Sequence, residues 1–159
     1  MKVFLCLAAM FLGVAAARGA DFQPDQPVWS MCADKEQAFI AYAVPESDVG
    51  LMWIYCARKS GRITVVPDLS TSTLNEGDAL TVTLASDGGH TRLMAKASRN
   101  RFGDLQISGL LQEPKHLLQL FSKGRTLKVS LSGNSVVMPL NRQAHRVFAI
   151  FRKSCPSLR

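Results

Sequence analysis

A chain of 159 residues is long enough for one domain around one core and too short for several. Its 47% hydrophobic content excludes an intrinsically disordered chain. The formal charge of +7 is unevenly spread: Asp21 to Gly89 carries four Lys or Arg against ten acids, and His90 to Arg159 thirteen against two. A basic half favours anionic partners, but no RNA-binding signature, zinc-finger spacing or heptad accompanies it, and no nucleic-acid partner is expected.

Residues 1–20 read as a secretory signal peptide. Lys2 supplies the positive start, Val3 to Val14 is an almost unbroken apolar run, and Ala15-Ala16-Ala17 offers the small residues of a cleavage site, with cleavage placed after Ala17. The run falls short of the ~20 residues that span a bilayer, and no later segment is longer without charges. The expected product is a periplasmic or secreted protein with no transmembrane segment in the mature chain. Residues 21–159 form a single β-rich domain in this reading.

Pro24 and Pro27 mark an extended lead-in, and Val28 to Ala33 reads as a first strand with Trp29 buried. Gln37 to Val44 is apolar on both alternating faces, as expected of a central strand. Pro45 to Asp48 makes a turn. Leu51 to Cys56 and Arg62 to Val66 follow, joined through Lys59-Ser60-Gly61. A Ser/Thr-rich loop runs from Pro67 to Leu74, and Asn75 to Asp78 turns again. Leu80 to Leu84 alternates with Thr outward. Asp87-Gly88-Gly89 closes a hairpin onto Thr91 to Ser98, and Asp104 to Leu111 is a further strand. Pro114 starts a short helix through Phe121, stopped by Gly124. Leu127 to Leu131 and Ser135 to Leu140 form a strand pair across Gly133-Asn134. Asn141 then caps a C-terminal amphipathic helix whose stripe is Ala144, Val147, Phe148, Phe151 and Cys155. Strands at this spacing predict a mainly β fold, an antiparallel sandwich or small barrel with two helices late in the chain.

An oxidising compartment favours pairing of the cysteines that survive cleavage. Cys56 and Cys155 each end an apolar element and are the favoured pair. Cys32 is left free, or takes Cys155 in an alternative pairing.

No metalloprotease, nucleophile-elbow, phosphate-loop or paired metal motif occurs. No cofactor, metal site or catalytic residue is expected, and the chain reads as a non-enzyme. Ser86, Asp87 and His90 share one hairpin, but they are ordinary turn residues. The ligand-binding candidates are Arg92, Lys96, Arg99 and Arg101, with Arg92 and Lys96 on one strand face and Met94 between them. The competing account is that such charges guard an exposed sheet edge.

Three features carry a resemblance: Trp29 and Cys32 near the start, Ala43-Val44-Pro45-Glu46-Ser47-Asp48 leading to Cys56, and a closing pattern. That pattern comprises Leu117-Leu118, Lys123 to Val129, Met138-Pro139-Leu140, then Phe148, Phe151 and Cys155. Over most of its mature length the chain resembles small exported proteins of Gram-negative, mainly alphaproteobacterial, type. Its last ~50 residues are distantly similar to the invasion-associated locus B family of periplasmic β-rich proteins. The resemblance implies the compartment and fold class and brings no active site. Tyr55-Cys56 followed by Arg62 to Val65 is also superficially similar to a family of lysozyme inhibitors. The expected function is a binding or accessory role in the cell envelope, with an envelope protein or polyanionic ligand as partner. The alternative is inhibition of a cell-wall hydrolase.

Overall fold

Among the described residues the strands fall in nine segments: β1 (Val28–Ala33), β2 (Gln37–Ala43), β3 (Gly50–Ala57), β4 (Ile63–Pro67), β5 (Ala79–Ser86), β6 (Gly89–Arg99), β7 (Leu105–Leu110), β8 (Thr126–Leu131) and β9 (Asn134–Pro139). Helix α1 (Lys115–Lys123) joins β7 to β8. Helix α2 (Arg142–Ser154) follows β9 and ends in a 3-10 turn, Pro156–Leu158. The structure, a computed structural model, describes residues 26–69, 74–100 and 102–159. The expected signal peptide of residues 1–20 lies outside them, as does Arg101.

All nine strands belong to one antiparallel sheet in the order β1-β2-β3-β4-β7-β6-β5-β8-β9. The sheet curls into a half-barrel, which is the barrel expectation and not two stacked sheets. Period-two alternation explains the concave face. Ile40, Ile54, Val65, Val82, Leu93, Ile107, Val129 and Met138 are all buried there, one from each strand after β1. The path between β4 and β5 skips two strands, β7 and β6, which later fill the space between them.

Because neighbours run antiparallel, β3, β7 and β9 finish at the end where β4 and β8 begin. Both helices lie at this helix end, and among the described residues the opposite end carries loops. Each helix turns a narrow apolar stripe to the sheet: Leu117, Leu120 and Phe121 on α1, and Ala144, Phe148 and Phe151 on α2. Phe121 stacks on Phe148 at 4.2 Å and meets Trp29 of β1 edge-on at 5.4 Å. The Trp29 indole N–H donates to the Pro139 carbonyl at 2.7 Å. Trp29 therefore links the first strand to the last strand and to α1, and Phe121 carries the contact on to α2.

The Cys56–Cys155 disulfide fastens the end of α2 to β3, as expected. Cys32 is also disulfide-bonded, and no described cysteine is free. The alternative pairing of Cys32 with Cys155 is not formed, because Cys155 bonds Cys56. The chain end is held further by the Ser157 hydroxyl donating to the Gly61 carbonyl at 2.6 Å, with Leu158 fully buried.

Several strand ends shift by one or two residues from the expected bounds, and the helix α1 and β8–β9 turn boundaries differ as well. Helix α1 runs two residues past Phe121, and Pro114 sits at its cap position, not its first turn. Gly124 stops the helix with an extended φ of −78°. A Cβ there would lie 2.6 Å from the Leu120 carbonyl oxygen and 2.7 Å from the Ser86 Cβ, so close approach, not left-handed backbone, requires glycine. The β8–β9 turn is Ser132-Gly133, with φ of 47° and 87°, a mirror-image turn that matches hairpin twist. Asn141 caps α2 as expected, its side chain accepting from the Ala144 N–H at 3.0 Å.

The Trp29 clasp yields a stability prediction. Trp29→Phe strips the Pro139 carbonyl of its donor and removes buried volume, and is expected to cost about 1–3 kcal/mol. Urea denaturation measures this, and an unchanged midpoint would show that the first and last strands are held by other contacts.

Candidate functional site on the outer face of the sheet

The half-barrel's interior is filled with its own side chains, and Thr91 is the only buried polar residue among those described. Surfaces available to a partner therefore lie on the convex face and at the two ends.

Strand β6 pairs with β5 from Gly89 to Lys96 and with β7 from Met94 to Arg99, so Met94 and Lys96 are held on both sides and Arg92 on the β5 side. Guarding a sheet edge does not explain the charge at Lys96. Arg92, Met94 and Lys96 all point outward and are exposed, Met94 by 66%. The expected pairing of Arg92 and Lys96 on one face is what the register produces.

The other two candidates do not join them. Arg99 has the opposite parity and works in its own turn. Its guanidinium lies 3.3 Å from the Glu76 carboxylate and donates to the Gly103 carbonyl at 2.6 Å. Arg101 lies outside the described residues.

The sequence reading missed what surrounds Met94. Cross-strand partners place Phe39, Tyr55, Thr64, Leu110, Met94 and Thr81 in one row across six strands of the convex face. Phe39 and Tyr55 lie in ring contact at 5.5 Å. Burial pushes the Tyr55 phenol above its ordinary range, so it stays neutral and donor-capable at physiological pH. Leu110 is 36% exposed. Trp53 and Val66 form the next row towards the loop end, in line with Lys96. The signal for this row was weak, an outward Phe, Tyr, Leu or Met on four of its strands and Thr on the other two. Only the register brings those residues together.

The hairpin residues Ser86, Asp87 and His90 have separate tasks. The Ser86 hydroxyl donates to the Leu120 carbonyl at 2.9 Å and accepts from the Gly88 N–H at 3.0 Å. The Asp87 carboxylate accepts from the Arg125 N–H at 3.2 Å. These bonds fix the β5–β6 hairpin to α1 and to the start of β8. His90 faces outward opposite Ala85.

The charge asymmetry of the sequence becomes an asymmetry of ends. Arg58, Lys59, Arg62, both helices' Lys and Arg, and Arg159 gather at the helix end. Glu46, Asp48, Asp68, Glu76, Asp78 and Asp104 gather at the loop end with Arg99, while Asp34, Glu36, Asp87 and Glu113 lie among the more numerous bases of the helix end. Arg92 and Lys96 sit between the two.

No protein-family model, curated protein or solved structure matches the chain. Its chemistry is read from geometry.

The placement of Arg99 separates it from the other bases. Arg99→Ala is expected to lower stability by only about 0.2–1 kcal/mol, since its ion pair is exposed, and to leave any binding at Arg92 and Lys96 intact. Thermal melts and a polyanion titration of the same variant test both halves. A large loss of binding would put Arg99 back in the site.

Proposed function

We propose that this chain is an exported, non-enzymatic binding or accessory protein of the cell envelope, acting through the convex face of its sheet. The observation that carries the reading is the exposed Arg92–Met94–Lys96 face on an interior strand. Two cations four residues apart on a strand lie about 13 Å from each other, and continuous pairing with β5 from Arg92 to Lys96 holds that spacing. An exposed methionine between them adds polarisable apolar contact. The arrangement suits a partner with repeated anionic groups and apolar surface between them, whether a polyanionic ligand or an acidic patch on an envelope protein.

The compartment belongs to the same proposal. The Cys56–Cys155 disulfide fits an oxidising location. Among the described residues, no helix is long and apolar enough to cross a membrane. Periplasmic or secreted placement rests on the N-terminal sequence and on the resemblance to exported proteins.

The test uses heparin as a soluble polyanion. Arg92→Ala/Lys96→Ala is expected to weaken binding about tenfold, in line with loss of two close charge contacts. Arg146→Ala/Lys153→Ala removes the same charge from α2, which packs on β1 and β2 and not on β6, and is expected to change affinity less than about twofold. Equal losses in the two variants would mean that net charge alone drives binding, and the proposed face would be wrong.

A further inference from the structure

Strands β4 and β7 sit side by side at the centre of the sheet, yet they pair only at Thr64↔Leu110 and Val65↔Gly109. Beyond Val65 the ladder stops, and the physical reason is Pro67. The Leu111 N–H donates to the Ile63 carbonyl at 2.9 Å, so odd-numbered residues of β4 and β7 turn their backbone groups towards one another. The next such pair would be Pro67 with Ile107. Pro67 has no N–H to give, and a proline ends a ladder at that position. Leu105 and Ile107 of β7 are left facing β4 with no strand partner on that side among the described residues.

An open groove of about 1140 Å³ lies where the strands part. Trp53, Tyr55 and Phe102 supply aromatic surface to it, and Phe102 is 74% exposed. Asp48, Asp68 and Asp104 bring three carboxylates, and no Lys or Arg is among its described lining residues.

We propose that this groove takes an extended, basic segment of a partner polypeptide, which adds as a short strand to the free side of β7. Main-chain hydrogen bonds to an unpaired strand edge give affinity for an extended peptide, and flanking pockets select its side chains. The three carboxylates select Lys or Arg, and the aromatic rings cover their stems and the apolar residues between them. The groove adjoins the Arg92–Lys96 face, shares Trp53 and Tyr55 with the rows beside it, and has the opposite charge.

The experiment is calorimetric titration of the oxidised full chain with four probes. These are an eight-residue Lys-Val alternating peptide, the same peptide N-methylated along its backbone, a Glu-Val alternating peptide, and chitotetraose. Lys-Val is expected to bind, with the N-methylated and Glu-Val peptides at least about tenfold weaker, a difference of 1.4 kcal/mol. Asp68→Asn/Asp104→Asn is expected to weaken Lys-Val about five- to tenfold, with its thermal midpoint confirming the fold. Arg92→Ala/Lys96→Ala is expected to leave Lys-Val binding unchanged, so failure here is distinguishable from failure of the basic face. Equal binding of the N-methylated peptide would remove strand addition, and equal binding of Glu-Val would remove the charge selection. Chitotetraose binding in place of Lys-Val would make the groove a glycan site, and no binding of Lys-Val at millimolar concentration would overturn the proposal.

Discussion

The rings of Trp29, Phe121, Phe148 and Phe151 form the contact on which the rest of the structure depends. A nine-stranded antiparallel sheet has an inherent twist but no inherent reason to stop curling at a given radius. Here the radius follows from what lies on the concave face. Phe148 neighbours both Phe121 and Phe151, and Trp29 reaches Phe121 from the first strand. The sheet bends until its aliphatic side chains close on that cluster. The Trp29–Pro139 hydrogen bond then ties β1 to β9, and the Cys56–Cys155 bond fastens α2 to β3. The disulfide spans 99 residues of sequence, so it removes much of the freedom of the unfolded chain, worth up to ~4–5 kcal/mol in the chain-entropy model.

A concave face filled by side chains and closed at one end by the protein's own helices moves recognition outward. The same packing decides where charges end up. Both helices bring their bases to one end because the strands that precede them finish there, and the acid-rich loops are left at the other. The convex face between them carries an apolar row. The discontinuity between β4 and β7 comes from one imino acid. Pro67 is compatible with pairing to β3, where its missing donor is not needed, and incompatible with extending the ladder to β7.

Much of the secondary structure was legible from local signals. Alternation in Leu80 to Leu84, the Asn141 cap and the stripe on α2 each depend on residues close in sequence. The pairing of Cys56 with Cys155 was legible as well, because each ends an apolar element. The strand order was not, since nothing local says that β7 should lie beside β4. The candidate site shared that fate in part. Arg92 and Lys96 were visible as two charges on one strand face, two residues either side of Met94. Arg99 was grouped with them by proximity in sequence, but its parity and its turn take it elsewhere. Phe39, Tyr55 and Leu110 are separated by long stretches of chain and form a surface only through register. Pro67 read simply as the start of a loop, because its effect falls on a strand that comes about forty residues later.

The account holds that the sheet is continuous from β1 to β9 except where Pro67 ends the β4–β7 ladder, and residue-resolved hydrogen exchange on the free, oxidised protein tests this most directly. The predicted result is slow exchange at Gly109 and Leu111, whose amides face β4 within the ladder, and exchange faster by orders of magnitude at Leu105 and Ile107. Equal protection at all four amides would contradict it, showing a ladder that runs past Pro67 and a sheet with no opening at its centre.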